Sequence, residues 1–247
     1  MGVRKPAVAG TFYPGSEELL RSMIHEFMQA CKKMKFSPKA LIVPHAGYVY
    51  SGIVAAAGYH LLQGKTYERV ILLGPSHRLP FYGAAFDSSQ SWETPLGNVP
   101  VSNFYAEHIK ILPQAHVKEH SIEVQLPFLQ YVLKDFSIAP IAMGSSAPIQ
   151  DDLQNALSDK TLFVVSSDLS HYHDYDTAKS MDGQTIDKIR KLTCVNYEEA
   201  CGADGINALI ALAKKNKWTP ALVEYKNSGD TAGDKKQVVG YACIAFS

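Results

Sequence analysis

Three histidines in this chain follow short apolar runs closed by turn residues. Ala40-Leu-Ile-Val43 leads into Pro-His45-Ala-Gly47. Val70-Ile-Leu-Leu73 leads into Gly-Pro-Ser-His77. Leu162-Phe-Val-Val165 leads into Ser-Ser-Asp168-Leu-Ser-His171. Neutral imidazole is the commonest metal ligand and also the side chain best suited to moving protons near neutral pH. His45 and His77, arriving at adjacent strand ends, can share one ion, with Gly47 and Gly74 letting the backbone come close. The plainer alternative is a pair of histidines that hydrogen-bond loop backbone.

Other polar clusters could join them. In Lys118-Glu119-His120-Ser121-Ile-Glu123, Ser121 reads as a helix cap and Glu123 as a first-turn acid favoured by the helix dipole. Neither accounts for His120, which can orient or protonate a bound anion. Asp168 can fix the ring tautomer of a neighbouring histidine, and His171 or His173 can act as general acid or base. Cys201, in Glu198-Glu199-Ala-Cys201-Gly-Ala-Asp-Gly205, reads first as a small buried hydrophobe. Near a helix N-terminus its thiolate could instead ligate metal. Cys194 and Cys243 read as structural, and Cys31 and His25 as parts of an ordinary helix.

The elements that must position these residues alternate between strand and helix, which indicates an α/β domain with a central, largely parallel sheet flanked by helices. Wholly apolar runs suit strands buried on both faces, and parallel sheets gather ligands past their carboxyl strand ends. Ser16 caps an expected helix to about residue 34, with helical apolar spacing from Leu19 to Cys31. Strands are expected at 40–43, 69–73, 137–143 (ending at Gly144-Ser-Ser), 162–165, 221–225 and 238–246. Helices are expected at 51–62, 121–133, 149–157, 177–192 and 205–215. Pro127 should kink its helix or delay its start. Pro140 argues for an edge or irregular strand. Residues 83–100 read as strand-poor, with a loop or β-excursion around Trp92-Glu-Thr-Pro-Leu-Gly97.

The 247 residues carry 24 Lys plus Arg against 24 Asp plus Glu. That balance leaves no footprint for nucleic acid or an acidic membrane surface. No secretion signal and no bilayer-spanning apolar stretch is evident, and the four cysteines are scattered. A single-domain cytoplasmic protein with reduced thiols is the expectation. Dinucleotide, Walker and nucleophile-elbow patterns are missing.

Six motifs in order are specific. They are Ala9-Gly-Thr-Phe-Tyr-Pro14, Pro44-His-Ala-Gly-Tyr48, Gly74-Pro-Ser-His77, Glu119-His-Ser-Ile-Glu123, Ser166-Ser-Asp-Leu-Ser-His171 and the run Gly229-Asp-Thr-Ala-Gly-Asp to Gly240-Tyr241. Together they resemble the MEMO1 family, also called AmmeMemoRadiSam system protein B, over nearly the whole chain. The family is similar in fold to class III extradiol (LigB-like) dioxygenases. The resemblance implies a metal site of His45, His77 and Cys201, the last through Cys201-Gly-Ala-Asp-Gly-Ile206, with Glu198 or Glu199 as the alternative third ligand. It implies acid–base roles for His171 and His120, and supporting roles for Asp168 and Ser76. Fe(II) is the expected metal, with Cu or Zn as alternatives.

Three functions follow as expectations. The first is a dioxygenase-like, metal-dependent oxidoreductase acting on a small molecule. The second is a non-catalytic module for an anionic, phosphotyrosine-like peptide or metabolite. The third is a zinc-type hydrolase. A thiolate ligand weakens the dioxygenase reading but not metal binding. The family's neighbours imply a functional link to AMMECR1-type and radical-SAM proteins.

Overall fold

The apolar runs lie at the centre of a mixed sheet. The computed structural model describes residues 2–32, 34, 36–145 and 147–247. Across the sheet the order is His171–His173, Val238–Phe246, Ala40–Val43, Thr161–Ser166, Arg69–Pro75, Ser137–Met143, Ala84–Phe86 and Ile109–Ile111, with Pro220–Asn227 also paired to Val238–Phe246. The four strands from Ala40–Val43 to Ser137–Met143 are mutually parallel. Val238–Phe246 and Ala84–Phe86 run antiparallel to them.

Alternation along these strands explains their unbroken apolar character. Leu41, Val43, Val70, Leu72, Leu162 and Val164 face one core, together with helices Glu17–Ala30, Tyr48–His60 and Leu126–Val132. Ile42, Ile71, Leu73, Phe163 and Val165 face a second core with helices Gln150–Asn155, Tyr175–Arg190 and Ala203–Asn216. Successive side chains point to opposite faces, so a sheet covered on both sides needs apolar residues at every position. Among the described residues, no helix is long and apolar enough to cross a membrane.

Several expectations change in detail. The helix capped by Ser16 ends at Ala30; its expected last turn includes Lys33, and the expected turn after Met143 includes Ser146, both outside the described residues. The helix after Gly47 begins at Tyr48, earlier than expected. Residues 83–100 are not strand-poor. They hold Ala84–Phe86, Ser91–Thr94 and Gly97–Pro100, and the last two pair as a hairpin joined by Val3–Arg4. Pro140 lies inside the sheet, between Arg69–Pro75 and Ala84–Phe86. The Ala84–Phe86 ladder stops at Ile141, and Ile138 turns its carbonyl to Ser102 on that same side. By the two-residue repeat, the nitrogen of Pro140 faces the gap between those contacts, where no N–H is needed.

Ser121 does not cap a helix; its hydroxyl donates to the Pro75 carbonyl. Glu123 opens a short 3-10 turn, and the α-helix starts late, at Leu126, with Pro127 in its first turn. The buried Glu123 carboxylate instead gathers the N-terminal segment. It accepts hydrogen bonds from the backbone of Ala7 and Val8 and from the Tyr13 hydroxyl, and it pairs with Arg4 at 2.7 Å. Arg4 in turn donates to the carbonyls of His116 and Glu119 and lies 4.0 Å over the Trp92 ring. Removing one member of a fully buried pair strands the other charge in low dielectric. Glu123→Gln is therefore expected to lower stability by about 3–5 kcal/mol in a urea titration. An unchanged midpoint would show that the pair does not hold the N-terminal segment.

Candidate metal centre

The site lies past the carboxyl ends of three neighbouring parallel strands. His45 follows Ala40–Val43, Asp168 follows Thr161–Ser166, and His77 follows Arg69–Pro75. His45 and His77 are thus not on adjacent strands, as the sequence suggested, because Thr161–Ser166 runs between them. The loop between helices delivers Cys201 to the same point. Nitrogen atoms of His45 and His77 and the Cys201 sulfur all lie within 4.8 Å of one another. Cys201 Sγ is 3.3 Å from His45 Nε2.

Close backbone approach makes this possible. A Cβ on Gly74 would fall 2.6 Å from Ser121 Oγ, and one on Gly202 would fall 2.7 Å from Ser167 Cβ. A side chain at either position would push the Ser121 or Cys201 segment off the strand ends. Gly47 carries no such demand, since its nearest neighbour would be 3.6 Å away.

Both histidines have one ring nitrogen committed to the protein. Ser166 Oγ donates to the Ser121 carbonyl at 2.6 Å and accepts from Gln125 Nε2 at 2.8 Å. Its remaining lone pair, 3.0 Å from His45 Nδ1, can only accept. His45 therefore carries its proton on Nδ1 and turns a bare Nε2 towards Cys201. Gln125 is itself fixed by the Tyr59 hydroxyl and the Pro44 carbonyl. At His77, Nδ1 lies 3.0 Å from Glu119 Oε1 and donates to it, which frees Nε2. Glu119 also accepts backbone N–H groups of His77, His120 and Ser121. Glu119 is within ligand range of His77 and His120 in a second donor group, but these bonds occupy its oxygens.

Electrostatics follow the same arrangement. Burial would raise the Glu119 pKa, but the hydrogen bond and charge of His77, with the Ser121 amide, pull it down to about 2. Burial, helped by His77, holds His45 down to about 3, so the ring stays neutral. Burial and then the Asp168 carboxylate push the Cys201 thiol up to about 12. A cation between the three donors would oppose both effects and favour the thiolate, which also accepts the Asp168 N–H at 3.3 Å. Two bare imidazole nitrogens and one thiol converging in this way fit a metal ion with positions left open.

The remaining candidates divide. His120 stacks on His77, with ring centroids 4.9 Å apart, and contacts Phe12 at 4.7 Å. Burial, then His45, lowers its pKa to about 4. Asp168 accepts the His45 backbone N–H at 2.8 Å and holds its other oxygen 4.0 Å from His45 Nε2. His171 lies near His45 and Asp168. Between His171 and His173, Tyr172 has a left-handed backbone, φ 63°, at an irregularity in the pairing with Val238–Phe246. Ser76 does not support a ligand, because its hydroxyl donates to the Leu79 carbonyl. Glu199 is held by Lys188 and the Asn196 amide, and Glu198 is exposed, so neither joins the donors. Cys194 is exposed rather than packed. Glu119, Ser166 and Gln125 were not singled out by sequence. Of these, only the adjacency of Glu119 to His120 gave a signal.

A family profile described as "Memo-like protein" matches residues 4–245. A MEMO1 family protein of Thermoplasma volcanium is 36% identical over 98% of this chain and 97% of its own length. One from Aquifex aeolicus is 38% identical over the full length of both chains. One from Sulfolobus acidocaldarius is 38% identical over 99% of each.

Glu119 orients His77 through Nδ1 and is not one of the three converging donors, so its loss should weaken any metal held by His45, His77 and Cys201. Glu119→Gln is expected to reduce metal affinity by roughly 10- to 100-fold in competition with a chelating dye. Unchanged affinity would remove Glu119 from that role.

Proposed function

The chain belongs to the MEMO1 family, and on that premise we propose that it is a metal-binding protein whose two-histidine, one-cysteine centre serves an iron- or copper-dependent oxidoreductase. The observation that carries this reading is the convergence of His45, His77 and Cys201 within 4.8 Å, with the Nδ1 atom of each histidine engaged elsewhere.

Fe(II) or copper held by these donors would supply electron transfer and a site for polarising a bound oxygen or phenolate group. The rest falls to the chain. Ser166 and Glu119 hold the two rings in the tautomer that presents Nε2. Asp168 fixes the His45 backbone, and its second oxygen, raised in pKa by burial, can keep or release a proton beside the donors. His171 is the proton carrier at the rim. His120, kept neutral by burial and His45, can accept a hydrogen bond or proton from a bound group.

A second reading is supported by the sulfur ligand itself. Thiolate with imidazole and an open position also suits zinc, and hence a hydrolase that activates water. The same pocket used as a receptor for an anionic group would need no metal.

Elemental analysis of protein purified without oxygen separates these readings. Near-stoichiometric iron or copper, lost in His45→Ala and His77→Ala and altered in Cys201→Ser, is the expected result. Zinc alone would favour the hydrolase. A wild-type protein that refuses added metal would favour the anion receptor. His171→Ala should keep its metal, and loss there would make it a ligand.

A further inference from the structure

Beside the three donors the surface falls into a cleft of about 540 Å³, a size typical of small-molecule sites. His77 and Cys201 line it, but neither His120 nor His171 does. It therefore reaches the donors from another quarter than the polar histidine cluster. The rest of its lining comes chiefly from Leu79, Pro80, Phe81, Tyr82, Met143 and Tyr197.

The walls are already built. Gly144 and Ser145 donate to the carbonyls of Gly83 and Phe81 at 2.8 and 3.0 Å, and Gly83 donates back to Ser145 at 2.9 Å. Ser76 Oγ closes the turn at the Leu79 carbonyl, 2.7 Å away. A Cβ on Gly144 would lie 2.1 Å from the Phe81 carbonyl oxygen, so the loop sits against bare backbone. Across the cleft, the Tyr197 hydroxyl donates to Asp204. Two large aromatic side chains are nevertheless left in water at this rim, Tyr82 at 81% and Tyr197 at 56% exposure. Neither is needed to fill a core. Exposed apolar surface gathered around a preformed cavity marks a binding site.

Charge decides what it takes. Among the described lining residues there is no Lys, Arg, Asp or Glu. The nearby Lys110 is engaged by the Tyr82 carbonyl and the Phe81 ring. A phosphate or carboxylate buried among these residues would lose hydration and find no cation in the described lining to replace it, Lys110 being held on the outer side of Phe81 and Tyr82 by a carbonyl and a ring face. Aromatic faces and a thioether instead suit a flat, uncharged partner.

We propose that this cleft binds the planar, apolar body of a neutral small molecule. The inference rests on the metal-centre reading only for what the far end of that molecule meets at His77 and Cys201. The two are tested apart with protein carrying isotope-labelled methionine methyl groups, in metal-free and Fe(II)-loaded forms, titrated with naphthol and naphthoate at neutral pH. Met143→Leu assigns the Met143 signal. Naphthol should shift that signal saturably in the metal-free protein, and naphthoate should bind at least roughly tenfold more weakly. Tyr82→Ala and Tyr197→Ala should each weaken naphthol binding roughly threefold to tenfold. Naphthoate binding as well as naphthol, or a Met143 signal that naphthol leaves unmoved in both forms, overturns the proposal. Equal naphthol affinity with and without Fe(II) upholds the cleft while removing contact with a metal.

Discussion

A carboxylate cannot be left bare in a protein interior. Of the carboxylates this chain buries, Glu119 and Glu123 lie four residues apart, and both halves of the structure around the site answer to their demand. Glu123 draws in Arg4, the backbone of Ala7 and Val8, and Tyr13. The N-terminal segment therefore lies under the centre, with the Phe12 carbonyl receiving the Tyr48 N–H at the start of helix Tyr48–His60. Glu119 draws in the backbone and ring of His77 and the amides of His120 and Ser121. One turn of chain thus joins the packing of the fold to the orientation of a candidate metal donor.

The divided roles of the histidines follow from their neighbours. His45 and His77 differ from His120 in having Nδ1 matched to a good acceptor. His120 Nδ1, although 3.2 Å from Glu119, is poorly aligned and finds no hydrogen bond. The first pair is anchored through Nδ1 with Nε2 turned to the converging donors; the third is held by stacking, with its Nδ1 left unpaired. Such differences are set by the angle of a single ring.

Sequence made much of this legible. The apolar runs before His45, His77 and Asp168 implied strands covered on both faces, and the two-core packing of Leu41 and Ile42, or Leu72 and Leu73, gives the reason. Cys201 was different, because spacing alone favoured a buried hydrophobe and only the family resemblance raised it to a ligand. Ser166 and Gln125 were illegible for a physical reason. Their roles exist only through partners 121 and 41 positions away, His45 for one and Ser166 for the other. Pro140 misled because a residue within a sheet can still face a local gap between neighbouring ladders. The β-excursion around Trp92 to Gly97 is present as a hairpin, but residues 83–100 were underestimated as strand-poor because their strands are only three or four residues long, too short for a repeat to stand out.

Strand Val238–Phe246 has a consequence of another kind. It is inserted between Ala40–Val43 and Pro220–Asn227 and pairs with both. The strand that carries His45 therefore keeps an open edge until a segment some two hundred residues later in synthesis arrives to close it. Loop closure over such a span is slow, and an open apolar edge invites other chains during the wait. A nascent chain can form its early helices as it leaves the ribosome, but it cannot complete the sheet around His45 until residue 246 is free. Truncated products are then left with an exposed apolar edge, a feature that chaperones and proteases can recognise.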